Sequence, residues 1–373
     1  MTHALHYLRV LTAALISLLA GVVASAQDMG PVTRNLYYLA PDTNGVTQVY
    51  HYLLGGEDEP RQVTSSERNV RAFGASHDGL AIAYVAGDQL WLQPIHTEEA
   101  EALAPVTDIQ FFSSPLFDPD DNSIAYANDG VWLYDLAARE ATQLLKDVPL
   151  DANGSNMPDV RIYEPSKFVR DADGEISRLI VNVGVWEWQT TGIYDLESGE
   201  LTLLEGQVHN SALPLYGDKL LLYGNGGVAG EFSLSLVDGT ESFDDRRVVV
   251  DFADVSPFTL FAEKAVEIHP GTVRIVGTAL VPPVESYTAF VFDANLMDDT
   301  VSDPIILTLS EDTSVNVVMG AISPDGAIMA VYTNATYTPT GAIAGGLTLL
   351  DLTTGEAIQS GLPDVVSALA WQP

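Results

Sequence analysis

From residue 35 onward the chain is written in short apolar runs separated by clusters of Gly, Pro, Asp and Asn. β-Branched and aromatic residues fill the runs, and the clusters carry turn chemistry. The runs therefore predict strands and the clusters predict tight turns. No stretch beyond the N-terminal segment carries a helical period. The phrase "FGASHDGLAIAYVAGDQLWLQPI" (73–95) reads as a run, a turn at His77-Asp78-Gly79, a second run, a short turn and a third run. "PLFDPDDNSIAYANDGVWLYDL" (115–136) repeats it, and "MGAISPDGAIMAVY" (319–332) repeats its first half. Weaker copies occupy 167–183, 213–227 and 266–280. Successive turns fall about 40 to 55 residues apart, a spacing expected of propeller blades.

Each unit predicts four strands. The first ends at an Asp-Gly type turn, where Asp accepts local amide hydrogen bonds and Gly supplies a positive φ. The third tends to end in an Asp-Leu step, at Asp135-Leu136, Asp195-Leu196 and Asp351-Leu352, before a short outer strand. First strands are expected to start at Val70, Ser113, Arg161, Ser211, Lys264 and Val315. A seventh candidate is the run 365–371 at the end of the sequence. Residues 35–66 supply three strands without a first one. The two ends complete each other, which predicts an all-β, seven-bladed β-propeller of four-stranded antiparallel blades. Its ring closes where the C-terminal strand joins the N-terminal strands, removing exposed sheet edges.

The Ser323-Pro324-Asp325-Gly326 hairpin, its variant at Ser76-His77-Asp78-Gly79 and the aspartates near third-strand ends resemble the TolB-like, WD40-like bacterial propeller repeats. The resemblance covers 27–373 and implies a propeller fold. It carries over no functional residue, because the shared motif is structural. TolB itself has an α/β domain ahead of its propeller, whereas here the repeats begin at Asn35.

Composition narrows the setting. His3, His6 and Arg9 precede an apolar stretch, and "ASAQ" (24–27) offers small residues to a signal peptidase. Residues 1–26 thus read as a secretory signal peptide, and 27–373 as a single propeller domain exported to the periplasm or beyond the cell. No later run is long enough to span a membrane. The chain has no Cys, so it takes no disulfide and no lipid on a thiol. Its 51 Asp and Glu against 16 Lys and Arg give a net charge of −35, which repels nucleic acid and anionic lipid. The acids are spread along the chain, as suits solubility or adaptation to salt.

No Gly-x-Ser-x-Gly elbow and no His metal spacing occurs. "DADGE" (171–175) resembles half of a calcium loop, but Gly174 comes too early and no third ligand precedes it, so a hairpin is expected. Long connections are expected on one face: 145–160, 183–192, 252–264 and 333–346. Binding usually lives on long loops of a rigid scaffold. Within them Trp186, Glu187, Trp188, Gln189 and Tyr337 combine aromatic area with polar tips, a composition for carbohydrate or peptide contact. Packing of the two Trp between blades is the competing reading. The expectation is an exported, non-catalytic binding or scaffold propeller for a protein, peptide or glycan, without cofactor. The alternative is a lactonase- or hydrolase-like enzyme holding calcium or another divalent metal in the central channel.

Overall fold

The predicted runs form strands that pair antiparallel with their chain neighbours. In the computed structural model the described residues are 35–54, 59–97, 99–107, 113–151, 154–171, 173–185, 189–203, 211–215, 219–223, 233–238, 247–255, 259–280, 287–310, 317–337 and 343–372.

The N-terminal strands are β1 (Asn35–Pro41), β2 (Thr47–Leu53) and β3 (Arg61–Gln62). One four-stranded sheet follows in β4 (Val70–Ala75), β5 (Ala81–Ala86), β6 (Gln89–Pro94) and β7 (Glu101–Pro105). The next comprises β8 (Leu116–Phe117), β9 (Ser123–Ala127), β10 (Gly130–Asp135) and β11 (Glu140–Lys146). A third holds β12 (Ile162–Arg170), β13 (Ile176–Gly184), β14 (Gln189–Asp195) and β15 (Leu201–Leu203). A fourth holds β16 (Ser211–Leu215), β17 (Lys219–Tyr223), β18 (Ser233–Asp238) and β19 (Arg247–Asp251). A five-stranded sheet contains β20 (Thr259–His269), β21 (Thr272–Leu280), β22 (Tyr287–Asn295), β23 (Thr300–Val301) and β24 (Ile305–Ser310), the last two both on β22. The last strands are β25 (Val317–Ile322), β26 (Ile328–Tyr337), β27 (Ile343–Asp351) and β28 (Ala357–Trp371).

Strand alternation explains how the sheets stack. On β5, Ile82, Tyr84 and Ala86 pack on one side, and Ala83 and Val85 on the other against Phe117 and Ile124 of the next sheet. Val169 and Ile180 meet Ala212, Leu220 and Leu222 in the same way. The first strands also touch in succession: β4 with β8, β8 with β12, β12 with β16, β16 with β20, β20 with β25, β25 with β28, and β28 with β4. The sequence of contacts returns to its start.

The predicted pairing of the two ends is present. Leu36 lies opposite Trp371, Tyr37 opposite Ala370 and Tyr38 opposite Leu369. The Gln372 amide donates to the Asn35 carbonyl at 3.0 Å. One feature differs from the expected separation of outer and inner strands. β28 pairs with β27 along its first half and with β1 along its second, so β25-β26-β27-β28-β1-β2-β3 form one seven-stranded sheet. The register breaks between Gly345 and Leu347, opposite the stretch between Leu362 and Val365 that contains Pro363. A bulge there accommodates a residue with no N–H to donate.

Two first strands start elsewhere than expected. The one placed at Ser113 begins at Leu116, and the one placed at Lys264 begins at Thr259, because Thr259 to Ala262 already pair with β21. The starts at Val70 and Ser211 match, and that at Arg161 is off by one.

Candidate functional site

The turn acids are occupied by the backbone. Ser76 Oγ donates to Asp78 Oδ1 at 2.7 Å and accepts from the Ala81 amide. Ser323, Asp325 and Ile328 repeat this arrangement, with Gly326 at φ 66°. In "DADGE" the Asp171 Oδ1 accepts the Asp173 and Glu175 amides, so that carboxylate closes a hairpin. Asp118 similarly accepts from the Asp120 and Asn122 amides and from Ser123 Oγ. Asp135 and Asp195 cap the turns after third strands by accepting amides two and three residues on. Other acids tie sheets together: Asp121 accepts the His77 and Asp78 amides, and Arg170 donates to Asp120. Among the described residues no group of three His, Cys, Asp or Glu could hold a metal.

Trp186, Glu187 and Trp188 lie outside the described residues. Gln189 opens β14 with its backbone opposite Gly184, and Tyr337 closes β26 opposite Ile343. Both positions therefore stand at the same kind of place, the end of a second-to-third-strand hairpin. Three of the expected long connections are shorter than predicted, because strands run into them. β13 and β14 leave 185–188, β26 and β27 leave 338–342, and a helical turn Phe252–Val255 with β20 takes up most of 252–264. The connection before β12 is long and pinned at its neck. Val148 bridges to Arg161, and Asp147 Oδ1 accepts the Tyr163 amide at 2.8 Å. Within it Asn156 accepts the Asp151 amide and donates to the Pro149 carbonyl.

Beyond that neck lies a set of charged groups on inner strands that strand patterning did not single out. Glu164 and Lys167 sit on β12 and Lys264 on β20, in the two sheets flanking the sheet of β16. Each lysine directly follows a register break, between Pro165 and Lys167 and between Ala262 and Lys264. The breaks place Glu164 and Lys167 on one face of their sheet, opposite Asn182 and Ile180. All three side chains are half-buried. Loss of water around Lys167, with a smaller contribution from the Lys264 charge, pushes its pKa down to about 8. Lys264 is held below the usual lysine range by burial, against the pull of Glu263. Burial raises Glu164 above the usual carboxylate range, with Asp147 adding repulsion.

The sign of the lysine effect is testable. An unfolded lysine titrates at about 10.4, whereas folded Lys167 does so at about 8. Between those values the unfolded chain holds more protons, so this group makes stability rise with pH. The urea midpoint is expected to gain from pH 8 towards pH 10 in the native chain, and Lys167→Met is expected to flatten that gain. Equal slopes in the two proteins would contradict the assignment.

The chain matches no protein-family profile and no curated protein. Among solved structures it is similar to a prolyl endopeptidase, at 13% identity and a TM-score of 0.57, covering 91% of this chain and 49% of that one. It is similar to an oligogalacturonate lyase from Vibrio parahaemolyticus, at 13% identity and a TM-score of 0.54, covering 89% and 85%. A further likeness is to TolB from Acinetobacter baumannii, at 16% identity and a TM-score of 0.49, covering 92% and 68%. This chain thus spans about half of the prolyl endopeptidase chain. At these identities the likeness concerns the fold alone, an all-β propeller architecture of antiparallel sheets.

Proposed function

We propose that this chain is an exported seven-bladed propeller that binds a protein, peptide or glycan on the face carrying its second-to-third-strand hairpin ends. The single observation that carries the scaffold reading is the unbroken succession of contacts among first strands, returning from β28 to β4. With β28 counted in two units, the seven-stranded sheet supplies two blades and the remaining sheets five. A rigid ring of this kind holds loop residues in fixed relation, which lowers the ordering cost of binding. Gln189 and Tyr337 lie at hairpin ends, the kind of place where a rigid scaffold carries its binding residues. Export is supported by the signal-like 1–26. Among the described residues no helix is long and apolar enough to cross a membrane.

The binding reading is favoured over a channel metal by Lys167 and Lys264. Two ammonium groups on inner strands oppose a divalent cation at that level. The test uses a glycan and peptide array followed by Trp186→Ala/Trp188→Ala on whatever binds. The double variant is expected to fold normally and to lose about tenfold or more in affinity, as befits aromatic anchors. Unchanged affinity would remove these residues from the site. Stoichiometric calcium in the purified protein would favour the enzyme instead.

A further inference from the structure

We propose that the connection before β12 anchors the binding face, and that its apolar side chains dock a polypeptide bearing aliphatic side chains flanked by lysine or arginine. This rests on the reading above and deepens it: of protein, peptide and glycan, it selects the polypeptide.

Placement is the first argument. Ile162, at the start of β12, lies opposite Gly184, and Gly184 lies opposite Gln189. The three positions form one row across β12, β13 and β14, so the connection entering β12 stands beside the hairpin end at Gln189. Among the described residues ten large apolar side chains are exposed, and three of them, Val148, Leu150 and Met157, belong to this one connection. They are 40%, 40% and 39% exposed, and Pro149 between the first two is exposed as well. Single exposed apolar residues are ordinary, whereas several gathered on one loop are a feature of contact surfaces.

The second argument is that the loop is built to hold these side chains out. Val148 and Arg161 exchange backbone hydrogen bonds of 2.8 and 3.0 Å that close its neck. Asn156 accepts the Asp151 amide at 2.8 Å and donates to the Pro149 carbonyl at 2.8 Å, which fixes the backbone on both sides of Leu150. Asp151 Oδ1 accepts the Ser155 amide, and the Val160 amide donates to the Met157 carbonyl across the short helical turn Met157–Asp159. A side chain on a pinned backbone loses little further freedom when a partner covers it. Val, Leu and Met offer a sugar neither a hydrogen-bonding group nor an aromatic face, but they match apolar side chains, and Met adapts to their shape. Charge narrows the partner further. Residues 146–164 hold four acids, Asp147, Asp151, Asp159 and Glu164, against Lys146 and Arg161, and Arg161 donates to the Val160 carbonyl. With −35 on the whole chain, an acidic partner or a second copy is repelled, and Lys or Arg around the apolar contact complements the surface.

The test uses the full chain and three synthetic peptides of one length: lysine alternating with leucine, lysine alternating with serine, and glutamate alternating with leucine. Binding of each labelled peptide is followed by fluorescence anisotropy at physiological salt. The expected result is saturable binding of the lysine–leucine peptide, about tenfold or more tighter than either of the others. Leu150→Ser/Met157→Ser is expected to weaken it about tenfold without lowering the melting temperature, because both side chains are exposed. Asn156→Ala leaves every apolar side chain in place but unpins the loop, and is expected to weaken binding too, as loss of a positioning residue does. Equal binding of the lysine–serine peptide would reduce the effect to bulk charge and overturn the proposal, as would binding that ignores the double variant. The peptide comparison on the native chain decides this even where a variant fails to fold. Dimerisation in light scattering that the double variant abolishes would give the patch to a second copy and likewise overturn it. A glycan that binds in the array and is lost in Trp186→Ala/Trp188→Ala, with no lysine–leucine binding, would overturn this proposal while leaving the loop-face reading in place.

Discussion

Removing 365–373 is expected to abolish cooperative folding or to lower the melting temperature well beyond what fraying of an end would do. The segment is the second half of β28 and the partner of β1. It contributes Val365 and Trp371 to a core that also holds Leu36, Tyr38, Ile328, Ala330, Leu347 and Leu349. Trp371 is 8% exposed, and its indole N–H donates to the Ala321 carbonyl at 3.1 Å, tying β28 to β25. Trp371→Ala alone is expected to cost about 3–5 kcal/mol, and Trp371→Phe about 1 kcal/mol through the lost hydrogen bond plus some packing. Deletion adds the loss of the backbone ladder to β1 and leaves two sheet edges exposed. Thermal melts of the three proteins beside the native chain provide the measurement. A truncated protein that melts with the native one would show that β28 is not what closes the structure.

Gly74→Ala is expected to be the most damaging single-atom addition on an inner strand. A Cβ there would stand 1.9 Å from the Pro115 carbonyl oxygen and 3.0 Å from its carbon. Those atoms are backbone, and the next residue already pairs through Leu116 with Ala125 of β9, so nothing light can move aside. β4 and β8 must separate, at a cost of roughly 2–3 kcal/mol or more, as for overpacking in a core. Gly45→Ala is the comparison. Gly45 has φ 79° with nothing within 4 Å, so only the left-handed backbone is penalised, by about 1 kcal/mol. Urea denaturation of both variants should rank Gly74→Ala as the worse. The reverse order would mean that the two inner strands do not approach so closely.

Much of the architecture was legible because it is local. Ser76, Asp78 and Gly79 make their hairpin with one another and with amides a few residues away, so their spacing states the turn directly. Asp135 and Asp195 announce the ends of third strands for the same reason. The matching incompleteness of 35–66 and 365–371 was also readable, because each half lacked what the other supplied. The start of the last strand misled, since the run expected as a first strand was 365–371 alone. In the fold β28 begins at Ala357 and runs extended into that run, with a register break between Gly345 and Leu347 on its partner strand. The lengths of the hairpins ending at Gln189 and Tyr337 were hidden too, because polar and small residues pair in a strand once the preceding rungs are fixed.

The sequence by itself determined the strand-and-turn grammar, the repeat and the complementarity of the two ends, all of which rest on backbone preferences and hydrogen bonds within a few residues. Only the tertiary structure decided what faces the interior. Lys167 and Lys264 come from distant stretches, and both were read simply as members of first strands. Their relation depends on a bulge in each strand, which shifts the alternation, and on the stacking of sheets on either side of β16, which brings the two charges within reach of one another. Burial and mutual repulsion are properties of that arrangement, and no local pattern of residue types encodes them.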